Sequence, residues 1–190
     1  MTNYSSEAPI LNPEGDKFSR WPFSQRGADV IAKRNDPSSI VIGLYGAWGD
    51  GKTTVLNFIE ESLKSHEDVI CIRFNPWRYG TEDQLLEGFF HDIADALDTK
   101  LLTTGDKLKD IIKKAAPAVG GALGQGSVGD GVAKFISGPT LSELRSRIEQ
   151  ALEEAKKRVV VLADDIDRLT KEEIHATFRI VKLTADFKYT

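Results

Sequence analysis

The stretch that decides the fold runs Ile40-Val41-Ile42-Gly43-Leu44-Tyr45-Gly46-Ala47-Trp48-Gly49-Asp50-Gly51-Lys52-Thr53. Its first half is a near-continuous apolar run, which is typical of a parallel strand covered on both faces. Its second half fits the pattern Gly, four residues, Gly-Lys-Thr. An amphipathic helix is predicted directly afterwards, from about Lys52 to Lys64. A strand, a glycine-rich turn and a helix in this order predict a phosphate-binding loop (Walker A).

The residue types in this turn suit a bound anion. Glycines let the backbone approach phosphate oxygens closely, and backbone N–H groups at the start of a helix face the anion. Lys52 is predicted to neutralise the β- and γ-phosphates, and the Thr53 hydroxyl to bind Mg²⁺. The predicted nucleotide contacts are Gly46, Ala47, Trp48, Gly49, Asp50, Gly51, Lys52, Thr53 and Thr54. The alternative is a glycine-rich turn that carries Lys-Thr by chance.

Two side chains of this turn, Asp50 and Trp48, are unusual for a phosphate loop because of their charge and size. A carboxylate beside bound phosphates would weaken binding, so the Asp50 side chain is expected to point away from them. Trp48 is bulky for a phosphate loop and is expected to pack on its outside rather than against a base.

Adjacent aspartates follow another apolar run. Residues 159–163 predict a strand, and Asp164 and Asp165 come directly after it. Asp164 is predicted to hold Mg²⁺, as the Walker B carboxylate does, and Asp165 to polarise the attacking water. Lys52 and Asp165 are therefore the candidate catalytic residues. The alternative is an acidic cap after a strand, where aspartate is common.

The rest of the chain alternates strands and helices, which predicts an α/β fold with a parallel sheet. A further strand is predicted at Val69–Phe74, ended by Asn75-Pro76. Ser24 is predicted to cap a short helix. The other caps are predicted at Thr81 with Gln84, Thr140 with Glu143 and Thr170 with Glu173. Residues 1–20 are expected to be flexible, and residues 21–190 to form one domain. Residues 101–139 are read as a Lys-rich and then Gly/Ala-rich insertion.

Composition limits the function classes. The chain has 190 residues, 41% of them hydrophobic, and a net charge of −4 from 25 basic and 29 acidic residues. This balance suits one globular domain and gives no direct sign of nucleic-acid binding. Cys71 is the only cysteine, so the chain can form neither an internal disulfide nor a multi-thiolate zinc site, and a cytoplasmic location is expected. No Asn-Lys-x-Asp guanine-reading sequence occurs, which favours ATP over GTP.

Three motifs in order resemble the KAP family of P-loop NTPases. They are Gly46-Ala47-Trp48-Gly49-Asp50-Gly51-Lys52-Thr53, Phe74-Asn75-Pro76-Trp77-Arg78-Tyr79 and Asp164-Asp165-Ile166-Asp167-Arg168. The likeness covers about residues 16–190. It implies a P-loop NTPase-type parallel sheet flanked by helices, with ATP and Mg²⁺ as cofactors. It also implies a domain that hydrolyses ATP and couples nucleotide state to conformational change in a larger protein or oligomer, with further domains or self-association.

Several family features bear on particular segments. Some members insert transmembrane helices between the Walker motifs. Here the insertion carries no spanning segment, so its residues 107–114 are either a solvated helix face or a peripheral contact with the inner face of a membrane. Arg78 is a candidate γ-phosphate sensor. Asp167 and Arg168 are read either as an interface pair or as an intramolecular ion pair.

The resemblance also predicts that the fold is incomplete at its C-terminus. In the implied sheet, strand 4 lies between strands 1 and 3, and it would begin at Tyr189-Thr190. The 190 residues alone are therefore expected to hydrolyse ATP weakly or not at all. The alternatives are a nucleotide-binding scaffold or regulatory fragment without turnover, and a P-loop small-molecule kinase.

Overall fold

The computed structural model describes residues 8–100, 139–185 and 187–190. The described helices are α1 (Arg20–Ala32), α2 (Lys52–Leu63), α3 (Glu82–Lys100), α4 (Pro139–Ala155) and α5 (Lys171–Thr184). The described strands are β1 (Val69–Phe74) and β2 (Arg158–Ala163), and short 3-10 turns span Pro13–Gly15, Pro76–Arg78 and Ile166–Arg168. Two compact units result. The first takes its described residues from Met1–Asn35 and Ile42–Glu67, and the second from Asp36–Val41 and Asp68–Thr190.

The first unit packs α1 against α2. Small residues on α1, including the fully buried Ala28, let the two helices approach closely. The Trp21 ring meets the buried Phe58 ring edge to face, with 5.6 Å between centroids. This packing fixes the orientation of α2, whose first turn follows the predicted phosphate loop.

The second unit is built on β1 and β2, which pair in parallel from Val69 opposite Arg158 to Phe74 opposite Ala163. Apolar side chains of both strands and of the flanking helices form the core. Within it, the Phe74 ring packs edge to face on Phe89, with centroids 5.1 Å apart. The predicted α/β class with a parallel sheet flanked by helices is confirmed, as are the strands expected at residues 69–74 and 159–163.

The strand predicted at residues 40–45 is wrong for this structure. The segment forms no strand, and Val41, Ile42 and Tyr45 are 62%, 58% and 93% exposed. A strand exists only when its backbone groups pair with a neighbour. Among the described residues the sheet consists of β1 and β2 alone, and these pair with each other. The apolar pattern is present at residues 40–45, but in the described part of the chain no strand pairs with it.

Other local predictions have mixed outcomes. The capping box of Thr170 with Glu173 is confirmed at the start of α5. Ser24 does not cap a helix: it lies inside α1, fully buried, and its hydroxyl donates to the Arg20 carbonyl at 3.0 Å. Tyr189 and Thr190 form no regular strand, but the Tyr189 backbone lies between β2 and Pro37 as the predicted strand 4 would: its carbonyl accepts from the Val159 N–H and its N–H donates to the Pro37 carbonyl.

Helix α4 begins at Pro139, one residue before the predicted cap at Thr140. The insertion lies outside the described residues except for its last position, Pro139. In the described part of the chain, no helix has the length and apolar character needed to cross a membrane.

Candidate functional site

The predicted phosphate loop leads directly into α2 and depends on two glycines. Gly49 and Gly51 have φ angles of 88° and 77°, which side-chain-bearing residues rarely adopt. Gly51 is the N-cap of α2, and its carbonyl accepts the first helical hydrogen bond from Val55 at 3.0 Å. The next residues, Lys52 and Thr53, therefore occupy the first turn, where the helix dipole favours negative charge.

The Lys52 side chain folds back onto the loop. Its ammonium donates to the carbonyl oxygens of Gly46 at 3.1 Å and Ala47 at 3.0 Å. An ammonium carries three donors, so these bonds engage two of them. Carbonyls are weaker acceptors than ionised phosphate oxygens. The Lys52 ammonium is therefore held close to the loop backbone by carbonyl oxygens, and the oxygens of a bound anion can replace these as acceptors.

Asp50 forms two hydrogen bonds with Ala47 across the turn. Its Oδ2 accepts a hydrogen bond from the Ala47 N–H at 2.6 Å, and its own N–H donates to the Ala47 carbonyl at 3.2 Å. Its direction relative to bound phosphate stays a prediction. Trp48 lies at the tip of the turn, 83% exposed, so it packs little against the rest of its unit.

Residues N-terminal to the loop also contact it and its helix. The Arg20 guanidinium donates to the Asp50 carbonyl at 2.7 Å. The Thr54 hydroxyl accepts from the Ile10 N–H at 3.2 Å, and the Asn57 amide donates to the Ile10 carbonyl at 3.0 Å. Sequence reasoning missed these contacts. Arg20 is 30 residues from its partner, and no motif or periodicity marks it.

In the second unit, Asp164 lies where β2 ends. Its N–H donates to the Phe74 carbonyl at 3.2 Å, which extends the pairing with β1 by one residue. One carboxylate oxygen accepts from the Asp165 N–H at 2.9 Å, and the other lies 3.6 Å from an Arg73 guanidinium nitrogen. The Asp164 side chain is 18% exposed, so it is sheltered but reachable from solvent.

Asp165 contacts residues that follow each of the two strands. Its φ of 57° turns the chain sharply after the strand. Oδ1 pairs with the Arg168 Nε at 2.9 Å, and Oδ2 accepts from the Asn75 amide at 3.2 Å. Asn75 is itself fixed, since its Oδ1 accepts from the Trp77 N–H at 3.1 Å. The Arg168 guanidinium carbon lies 6.0 Å from the Trp77 ring centroid.

These contacts join the second and third motifs of the sequence at the carboxyl ends of two paired strands. Asn75 was not predicted to be a site residue. The signal that could have identified it is its position directly after β1, beside the aspartates that follow β2. Arg168 pairs with Asp165, which favours the intramolecular interpretation of that arginine. Arg78 ends the 3-10 turn of Pro76–Arg78, and its role as a phosphate sensor stays a prediction.

The predicted site residues thus form two groups. The loop, with Lys52 and Thr53, belongs to the first unit, and Asp164 and Asp165 belong to the second. Within residues 8–100, 139–185 and 187–190, no group of three or more His, Cys, Asp or Glu side chains is arranged to hold a metal ion. The Thr53 hydroxyl and the Asp164 carboxylate are hard oxygen donors of the type Mg²⁺ prefers when phosphates supply further ligands. The donor chemistry therefore fits a nucleotide-bound magnesium ion.

Comparison with known proteins gives a family and one distant relative. The model of the KAP family P-loop domain matches residues 20–190. The Phage T7 exclusion protein of Escherichia coli (strain K12) is 26% identical over an alignment 215 positions long, which covers 95% of this chain. The chain spans only 29% of that relative's length. No solved structure matches the chain at a significant level.

Proposed function

Because the chain belongs to the KAP family of P-loop domains, we propose that it binds ATP through residues 46–54 and hydrolyses it slowly. The observation that carries the proposal is the Lys52 ammonium, which rests on two carbonyls of a glycine-rich turn at the start of α2. A phosphate oxygen with a full negative charge is a stronger acceptor than either carbonyl. Lys52 therefore exchanges these partners for the β- and γ-phosphates.

Thr53 and Asp164 are the residues proposed to hold Mg²⁺. When bound, the ion supplies positive charge against the phosphate oxygens. Asp165 is proposed to accept a hydrogen bond from the attacking water and so to orient it. Asn75 and Arg168 support that role because their contacts with Oδ2 and Oδ1 hold the Asp165 carboxylate in one orientation.

Calorimetric titration with MgATP tests the binding step. Wild type is expected to bind, and Lys52→Ala is expected to weaken binding by about a hundredfold, from the loss of a charged contact worth about 1.5–3 kcal/mol. Lys64→Ala is the matched control, since it removes the same charge from the exposed C-terminal end of α2. Equal affinities for wild type and Lys52→Ala would contradict the proposal.

Phosphate release tests the chemical step. Asp165→Asn is expected to reduce turnover by about a hundredfold or more while leaving MgATP binding nearly intact. Asp68→Asn is a control at the opposite end of the strand pair, because Asp68 directly precedes β1. Turnover in Asp165→Asn equal to that of wild type would remove Asp165 from the mechanism.

One observation favours a second candidate, nucleotide binding without turnover. Both oxygens of Asp165 already have partners, and Asp164 already contacts Arg73 and the Asp165 N–H. Carboxylates held in this way are less available to water. MgATP binding that Lys52→Ala weakens, combined with no phosphate release by wild type, would select this candidate.

The family resemblance further supports coupling of nucleotide state to conformational change in a larger protein or oligomer. Amide hydrogen exchange with and without MgATP tests the coupling within this chain. Exchange is expected to slow in α2 and also in α5 of the second unit. Slowing confined to the loop and α2 would contradict the coupling.

A further inference from the structure

Arg20 contacts the predicted phosphate loop from the first residue of α1. Its Nη2 donates to the Asp50 carbonyl at 2.7 Å. A Cβ built on Gly51 would lie 3.1 Å from the Arg20 Cζ and 3.3 Å from its Nε. The guanidinium therefore occupies the space beside Gly51 that a side chain would fill, and it bonds the carbonyl immediately before that residue.

This bond fixes the orientation of one peptide group. A trans peptide unit is planar, so its C=O and N–H point in opposite directions. The unit in question joins the Asp50 carbonyl to the Gly51 N–H. With the carbonyl held toward Arg20, the Gly51 N–H points to the opposite side. Outward-facing carbonyls and inward-facing N–H groups are what an anion-binding loop requires.

Arg20 is itself held in place. Asp16 accepts hydrogen bonds from the Trp21 N–H at 2.8 Å and the Phe18 N–H at 3.2 Å, which fixes the start of α1. The Arg20 guanidinium carbon lies 4.7 Å from the Phe18 ring centroid, a distance suited to a cation–π contact. The Trp21 ring packs on Phe58 of α2. Arg20 is thus tied to the same helix that the loop leads into.

We propose that Arg20 is a positioning residue of the phosphate loop, which holds the Asp50 carbonyl outward so that the Gly51 N–H meets a bound polyphosphate. The proposal deepens the proposed function and rests on its binding step. The recognised chemistry is the polyphosphate, whether as part of a nucleotide or free.

Titration calorimetry with MgATP and with magnesium tripolyphosphate tests the proposal. Arg20→Ala is expected to lower the affinity for both ligands by the same factor, about tenfold. Arg20→Lys, which keeps one charged donor, is expected to recover part of the loss, to about threefold below wild type. Arg26→Ala is the matched control, because Arg26 is an exposed arginine on the same helix. Its affinities are expected to stay within about twofold of wild type.

Three results would overturn the proposal. The first is an Arg20→Ala affinity equal to that of wild type for both ligands. The second is a loss for MgATP without a loss for tripolyphosphate, which would assign Arg20 to the nucleoside. The third is an Arg20→Lys affinity as weak as that of Arg20→Ala, accompanied in both variants by a lower unfolding midpoint without ligand. That result would mean a structural role only.

The wild-type titration separates this proposal from the function on which it rests. Binding by wild type that is unchanged in Arg20→Ala refutes the role of Arg20 and leaves the proposed function standing. Absence of binding by wild type refutes both.

Discussion

The two positive-φ glycines of the loop allow a matched test of how Arg20 and the turn depend on each other. Alanine in the left-handed region costs roughly 1–2 kcal/mol. At Gly49, φ 88°, an added Cβ meets nothing within 4 Å, so only this conformational cost applies. At Gly51, φ 77°, the Cβ also lies 3.1 Å from the Arg20 Cζ. Moving the guanidinium weakens its bond to Asp50, which adds roughly 1 kcal/mol.

Gly51→Ala is therefore expected to lower the free energy of unfolding by about 1 kcal/mol more than Gly49→Ala. Urea unfolding followed by tryptophan fluorescence measures the difference. Trp21 is the suitable reporter because it packs on Phe58 within the same unit. Replacing the exposed Trp48 and Trp77 by phenylalanine isolates its signal.

A double-mutant cycle identifies the source of the difference. In an Arg20→Ala background, Gly51→Ala is expected to cost no more than Gly49→Ala, because the clashing guanidinium is gone. An excess cost at Gly51 that persists without Arg20 would refute the reasoning. So would equal costs of the two glycine substitutions in the wild-type background.

Three further predictions concern other positions. Asn75→Ala removes the amide donor to Asp165 and is expected to lower turnover about tenfold, while its affinity for MgATP stays within about twofold of wild type. Faster phosphate release by this variant would show instead that Asn75 restrains the carboxylate. Thr170→Ala breaks the capping box of α5 and is expected to cost about 1 kcal/mol, or about 2–4 °C in calorimetric Tm, with Thr170→Ser recovering most of it. The Trp21 N–H lowers the pKa of Asp16, so folding favours the ionised carboxylate. That stabilisation is fully present above the ordinary Asp pKa of about 3.9 and is lost as the pH falls through the lowered pKa of Asp16. The urea midpoint of the wild type is therefore expected to fall in this acid range, and Asp16→Asn is expected to reduce the fall.

Local patterns were sufficient for part of the fold. The apolar runs of β1 and β2, the periodicity of α2 and the capping box at Thr170 each report on residues close together in sequence. Such signals survive in the structure because propensity, patterning and packing agree there. The position of Asp164 and Asp165 at the end of β2 was predicted from the same kind of local signal, an apolar run followed directly by the two aspartates.

Long-range pairing could not be predicted in this way. The Asn75 amide and its Asp165 partner are 90 residues apart, and Arg20 and Asp50 are 30 apart. Neither contact leaves a periodic trace in the sequence. The strand predicted at residues 40–45 was wrong for a related reason, since an apolar run specifies a strand only together with a neighbour to pair with.

That same segment has a consequence for handling the protein in solution. From Pro37 to Gly49 the chain carries no charged side chain, and Ile40, Val41 and Ile42 are β-branched residues between 44% and 62% exposed. Uncharged segments of this kind readily form intermolecular β-pairing. Concentrated samples are therefore expected to associate through this stretch, by backbone pairing between the Ile40–Tyr45 segments of two molecules.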